Sequence, residues 1–357
     1  MANDFANTKR GKNIIRYAAS KFIKGLIKNR DNMLIGWTPS MYNIVNTMRK
    51  VGNKYVTDIE GLQNATSSIP KPLARLGSGI GRDKVKIYKD DCGEWYIPIR
   101  IFREKTKTAS YKSLILSYKP TIMLYLHGGA MCLCSNKSHR EMLLRLSNSS
   151  NMIILAVNYR KPPNHPFPVP QNDCYTSYLN IIDMGLPVVL AGDSAGGNLA
   201  LTITHRLIRE KKQIPESILL ISPWVNLTEN ADNIEKSSSI IKNSQIDFLP
   251  IEGISLFAKS CIQDNDSLDN KTIMNTLEKY SPSYYNLTGY PDIYMFTGEC
   301  EMLIDQQRAF VTKAKEYKVN ITYVEEPNMI HAFPLFATLG VRQAKDFFLQ
   351  VGDIYNP

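Results

Sequence analysis

Residues 187–198 read Pro187-Val188-Val189-Leu190-Ala191-Gly192-Asp193-Ser194-Ala195-Gly196-Gly197-Asn198, and the helix-forming run Leu199-Ala200-Leu201 follows directly. A short apolar strand enters a serine flanked by glycines, and the chain leaves as a helix. In that context Gly-x-Ser-x-Gly forms a sharp elbow that lifts the serine hydroxyl above the edge of a sheet. The serine must take a strained φ/ψ, and the glycines let neighbouring backbone pass without a clash. The bland alternative is a glycine-rich turn with an idle serine. The strand before and the helix after argue against it.

A serine activated in this way needs a place to hold the oxyanion formed when an acyl carbon becomes tetrahedral. His127-Gly128-Gly129-Ala130, after the strand-like Ile122-Met123-Leu124-Tyr125-Leu126, can supply it. The Gly128 and Gly129 amides are expected to point toward the site beside the Ala195 amide. Alone, His-Gly-Gly marks a tight turn; upstream of a serine elbow it is a strong signal.

The chain has five histidines. Where a serine sits on such an elbow, the order along the chain is nucleophile, acid, histidine, which leaves His205 and His331. His205 is eleven residues along the elbow helix, about 16 Å along its axis, too far to return. His331, in Asn328-Met329-Ile330-His331-Ala332-Phe333, lies just past the last expected strand, on a loop that can reach the elbow. His127, His139, His165 and His205 are assigned structural or surface roles. For the acid, Glu299, Glu301 and Asp305 fall within seven residues of one another. Glu301 and Asp305 share a face if a helix begins there, and one of them should orient His331. The mundane reading of each is a charge at a helix start.

Working outward, expected strands are Lys84 to Lys89, Trp95 to Phe102, Ile122 to Leu126, Met152 to Tyr159, Val188 to Ala191, Ser217 to Ile221, Ile293 to Phe296 and Ile321 to Val324. Helical patterns lie between several of them: Glu141 to Leu146, Tyr175 to Ile182, Leu199 to Arg209 and Gln306 to Tyr317. Strands alternating with helices imply an α/β fold with a mostly parallel sheet covered on both faces. Residues 1 to 75 and about 228 to 280 break the rhythm and are read as cap elements over one end of the sheet, the second as an insertion in a domain spanning 76 to 357.

The formal net charge of +10 is uneven, with 11 Lys/Arg against 4 Asp/Glu in residues 1 to 60. The body is therefore near neutral, and nucleic acid is not an expected partner. Ile14, Ile15, Ala18, Ala19, Phe22, Ile23, Leu26 and Ile27 line one helical face, with Lys12, Arg16, Lys21, Lys24 and Lys28 on the other. Such a basic amphipathic helix either packs as a cap or lies on an anionic membrane. No apolar run approaches the ~20 residues of a membrane span, and the N-terminus lacks the pattern of a secretory signal. The six cysteines are too sparse for a disulfide scaffold and fit no common zinc spacing. The eight Asn-x-Ser/Thr sequons arise readily in a chain this rich in Asn and Ser. The expected place is the cytoplasm or the surface of an intracellular membrane.

These residues resemble the hormone-sensitive-lipase branch of the α/β-hydrolases. The likeness runs through His127-Gly128-Gly129-Ala130, Asn158-Tyr159-Arg160, Pro166-Phe167-Pro168, the Gly192 to Gly197 elbow, Ser222-Pro223-Trp224, Ser281-Pro282, Gly298-Glu299-Cys300-Glu301-Met302-Leu303-Ile304-Asp305 and His331-Ala332-Phe333. It covers about residues 84 to 350. It implies an eight-stranded sheet with a helical cap, Ser194 as nucleophile, Glu301 as triad acid, His331 as base and the amides of Gly128, Gly129 and Ala195 as oxyanion hole. Most members carry Asp where this chain has Glu301, which keeps Asp305 in reserve. Lys161-Pro162-Pro163-Asn164 also departs from the usual segment. The implied activity is cleavage of carboxylic esters through an acyl-enzyme, without metal or organic cofactor, on a lipophilic small molecule. Details resemble fungal members, some of which deacetylate sterols. An amidase or peptidase of the same fold and a non-catalytic ligand receptor are the rival readings.

Overall fold

The computed structural model describes residues 9–25, 34–67, 84–102, 110–229, 235 and 238–356. Along the chain run α1 (Lys9–Gly25), α2 (Pro39–Tyr55), α3 (Ile59–Thr66), β1 (Val85–Asp90), β2 (Gly93–Pro98), α4 (Tyr111–Tyr118), β3 (Ile122–Leu126), α5 (Asn136–Ser150), β4 (Ile153–Val157), α6 (Val169–Asp183), β5 (Val188–Asp193), α7 (Ala195–Arg209), β6 (Ser217–Ile221), α8 (Ser239–Lys242), α9 (Ile251–Ser260), α10 (Asn270–Lys279), β7 (Asp292–Gly298), α11 (Ile304–Glu316), β8 (Ile321–Glu326) and α12 (Arg342–Tyr355).

β3 and β4 are apolar runs buried at every position, and β6 is likewise buried and apolar after Ser217, as strands covered on both faces must be. The sheet order is β1-β2-β4-β3-β5-β6-β7-β8. β2 pairs antiparallel with β1 and with β4, and the remaining pairs are parallel. Alternation along β3 divides the core: Leu124 and Leu126 pack with Leu199 and Leu207 of α7, while Met123 and Tyr125 face the side of Leu143 in α5 and Phe347 in α12.

Register positions the site. Leu126 pairs with Gly192 and Asp193 with Ile221, so the His-Gly-Gly turn, the elbow and the turn after β6 leave the sheet side by side. Farther along the same edge, Ile221 pairs with Phe296 and Gly298 with Glu326, which brings up the loops carrying residues 299–303 and 327–332.

Two expectations change. The strand expected to run to Phe102 ends at Pro98, and Ile99–Phe102 forms a 3-10 turn. α4 and α12 were not expected from the sequence; α12 sets Phe347 edge-on against Phe296, with ring centroids 4.9 Å apart. In α1, Ile14 is buried and Lys12 and Arg16 are exposed, while Tyr17 meets Tyr55 of α2 edge-on at 5.6 Å. α1 packs on α2 and α3, and α2 packs on α9. Leu26, Ile27 and Lys28, and the side chains of Phe22, Ile23 and Lys24, lie outside the described residues. Among those described, no helix is long and apolar enough to cross a membrane.

Candidate active site

β5 delivers Ser194 at φ 51°, ψ −119°, and α7 starts at the next residue. Close approach explains the glycines: a Cβ on Gly196 would lie 1.9 Å from the Leu126 carbonyl oxygen, and one on Gly192 2.5 Å from Gly196 backbone. Ser194 is pinned at both backbone groups. Its N–H donates to Ile221 O at 2.8 Å, and its carbonyl accepts from Trp224 N–H at 2.9 Å.

The His-Gly-Gly turn is held by an aspartate from the elbow. Asp193, buried, accepts from Tyr125 Oη (2.7 Å), Gly128 N–H (2.9 Å) and His139 Nε2 (3.1 Å). Burial alone would raise its pKa, but the His139 charge and these donors hold it at about 2. The bond from Gly128 corrects the sequence reading, because that amide is committed to Asp193 and is not free for an oxyanion. The following residues turn through positive φ, with Gly129 at 110° and Ala130 at 52°. Among the described residues, the amides of Gly129 and Ala130 meet no hydrogen-bond acceptor. The Ala195 amide opens α7, where first-turn N–H groups have no helical partner. His127 is buried and stacks on Tyr159 at 4.4 Å, its pKa pushed well down by burial. From α3, Gln63 Nε2 donates to Cys132 O (2.9 Å) and Pro162 O (2.7 Å), and Thr66 Oγ1 accepts from Cys134 N–H (3.2 Å).

On the other flank, His331 Nδ1–H donates to Glu301 Oε2 at 2.7 Å. Glu301 has no solvent exposure. Its carboxylate also accepts from Gly298 N–H (2.8 Å), Ser222 Oγ (3.0 Å) and Gln307 Nε2 (3.0 Å). Asp305 goes elsewhere: its side chain is half exposed and accepts from Ser239 N–H at 2.7 Å, at the start of α8. Glu299 accepts from Asn328 N–H at 2.9 Å. Of the three carboxylates weighed from sequence, Glu301 is the one bonded to His331. Burial depresses the imidazole, but the Glu301 bond and the charges of Glu301, Asp247 and Asp193 outweigh it, so its pKa is raised.

His331 Nε2 is buried and without a hydrogen-bond partner. It is not bonded to Ser194 Oγ, a bond that is often long until substrate binds. Ser222 ties the two halves together: it follows Ile221, which binds Ser194, and it bonds Glu301 and accepts from Ala332 N–H at 3.0 Å. The roles of Ser222 and Asp193 were missed in the sequence, although both lie inside recognised motifs. Among the described residues, no group of His, Cys, Asp and Glu side chains could hold a metal ion.

A family model described as the alpha/beta hydrolase fold matches residues 123–335, which include both turns, the elbow, Glu301 and His331. The chain belongs to this family, in its hormone-sensitive-lipase-like branch. The hydrolase is 30% identical over 214 residues to an acetyl-hydrolase of Streptomyces hygroscopicus, covering 59% of this chain and 67% of that one. It is 26% identical over 218 residues to an esterase of Acinetobacter venetianus, covering 60% and 68%. Among solved structures, EstE5 soaked with p-nitrophenyl butyrate matches with 25% identity and a TM-score of 0.63 over 85% of this hydrolase and 98% of that chain. An esterase/lipase from an uncultured bacterium shares the fold, with 22% identity and a TM-score of 0.64 over 96% and 97%.

Proposed function

We propose that the site cleaves carboxylic esters with Ser194 as nucleophile, His331 as base, Glu301 as the acid that orients it, and the amides of Gly129, Ala130 and Ala195 as oxyanion donors. The chain is an ester hydrolase of the carboxylesterase and lipase-like class. Ser194 Oγ adds to the ester carbonyl while its proton passes to His331 Nε2, and the oxyanion is met by the free amides. Collapse breaks the bond to the alcohol, which leaves with the proton from His331. Water then adds to the acyl-enzyme with His331 again taking the proton, which releases the carboxylic acid and restores Ser194.

One observation carries this reading: a buried imidazole bonded at Nδ1 to an ion-pairing carboxylate, with Nε2 unpaired, on the sheet edge where the elbow presents its serine. The acetyl-hydrolase relative supports a short acyl group, and we extend the proposal to acetyl esters of sterols or other lipophilic alcohols. The intact constellation weighs against a non-catalytic receptor, and relatives named for ester cleavage weigh against an amidase or peptidase. A further part of the proposal is peripheral contact with an anionic membrane through the exposed Lys12 and Arg16 of α1.

The test is a p-nitrophenyl acyl ester series run beside the matching anilides, on the wild type and Ser194→Ala. Ester turnover falling with chain length and abolished in Ser194→Ala is expected. Preferential anilide turnover would reassign the enzyme to amides, and activity on neither would favour the receptor.

A further inference from the structure

The segment between α8 and α9 contributes a third carboxylate to the region of His331. Asp247 has no solvent exposure. Its Oδ2 accepts from Met302 N–H at 2.8 Å, next to Glu301, and its Oδ1 accepts from Phe248 N–H at 2.8 Å. The Phe248 ring lies 5.9 Å from the His331 ring. The acid loop is fastened at two more points, one in this segment and one in α8: Asn243 Nδ2 donates to Glu301 O at 2.9 Å, and Ser239 Oγ of α8 to Met302 O at 2.8 Å.

These contacts leave a charge that packing does not require. An uncharged side chain could accept from Met302 N–H as well, without the cost of burying a carboxylate. Among the described residues, no side-chain cation is bonded to Asp247. Arg49 of α2 donates to its backbone carbonyl at 3.3 Å, and among the described residues the other titratable groups facing it are His331, Glu301 and Cys300. Facing His331 are Glu301, Asp247 and Asp193.

We propose that Asp247 is a positioning residue for the His331–Glu301 pair: its bond to Met302 N–H sets the acid loop, and its negative charge favours the imidazolium that forms as Ser194 attacks. This rests on His331 being the base. Burial pushes the Asp247 carboxyl up to about 6, against the opposing pull of His331. The sign of the linkage follows. A carboxyl raised in the folded state favours folding below its ordinary pKa of about 3.9 and loses that contribution as pH rises through about 6. At pH 8 the ionised group therefore weakens the fold while helping the reaction.

Asp247→Asn keeps one oxygen to accept from Met302 N–H and removes the charge, giving up only the acceptor for Phe248 N–H. At pH 8 we expect kcat to fall about tenfold with KM within about twofold. The acid limb of kcat/KM should move about half a unit to lower pH, since the imidazole loses a neighbouring anion. Tm should stay level or rise. Asp247→Ser carries the same expectation for the limb if the asparagine variant does not fold. Asn243→Ser, which loosens the loop without changing charge, should lower kcat and leave the limb in place. An unmoved limb in the folded Asp247 variant, or a lower Tm with unchanged kcat, overturns the proposal. Ser194→Ala and His331→Ala run alongside keep the failures distinct: turnover in either sinks the parent reading, whereas inactivity of both with an unmoved Asp247 limb sinks only this one.

Discussion

Glu301 occupies a hub where three donors besides His331 converge on one buried carboxylate. Glutamine at 301 would keep the volume but replace one oxygen by an amide that cannot accept from its neighbours and no longer offsets an imidazolium. We expect Glu301→Gln to lower kcat/KM by about 10³ to 10⁴. Asp305→Asn, at a half-exposed helix start, should cost less than about tenfold. The reverse ranking would return the acid to Asp305. In the proposed mechanism His331 must be neutral to take the proton, so kcat/KM should climb with pH through a midpoint above the ordinary imidazole value of about 6.5. In Glu301→Gln that midpoint should fall, because the negative charge that helps to raise it is gone. A midpoint unchanged by the substitution would mean that the profile reports another group.

At the scale of elements, the His-Gly-Gly turn hangs from β5 through the His139–Asp193 pair. Asp193 is depressed, so its contribution to stability is present above about 3.9 and lost as pH falls through about 2. His139 is raised, so its contribution is complete below about 6.5 and lost as pH rises through its higher folded value. The pair therefore contributes most between about pH 4 and 6.5. His139→Gln should cost about 3 kcal/mol at pH 5.5 and less at pH 9, as read by urea unfolding, and should lower kcat by loosening the Gly128 anchor. Equal losses at both pH values would show that packing, not charge, is at stake. The elbow was legible in the sequence because its cause is local: strand, strained serine and helix adjoin, and only glycine fits 1.9 Å from a carbonyl. The commitment of the Gly128 amide was not, because its acceptor is 65 residues away and meets it only through the β3–β5 register. Ser222 was hidden for the same reason: its partners Glu301 and Ala332 arrive from loops 79 and 110 residues later.

Across the whole molecule, the N-terminal helices connect to the chemistry through α3. Gln63 and Thr66 hold the chain that follows the His-Gly-Gly turn at Cys132 and Cys134, and α3 is in turn covered by α1. Burying Ile14 contributes about 1.5–3 kcal/mol to that cover. Removing residues 1–25 should therefore do more than trim the surface: Tm should fall by several degrees, and kcat/KM by about tenfold as the turn loosens. Unchanged turnover would uncouple α1 from the site. The same helix decides how a membrane could be met. With Ile14 turned inward and Lys12 and Arg16 outward, the described part of α1 offers lipid an electrostatic contact. Full-length protein should pellet with vesicles containing phosphatidylserine at low ionic strength, release as salt approaches about 0.5 M, and lose binding in the Lys12→Glu/Arg16→Glu double variant. Pelleting that survives high salt would mean that apolar side chains insert, and no pelleting at low salt would remove the membrane from the account.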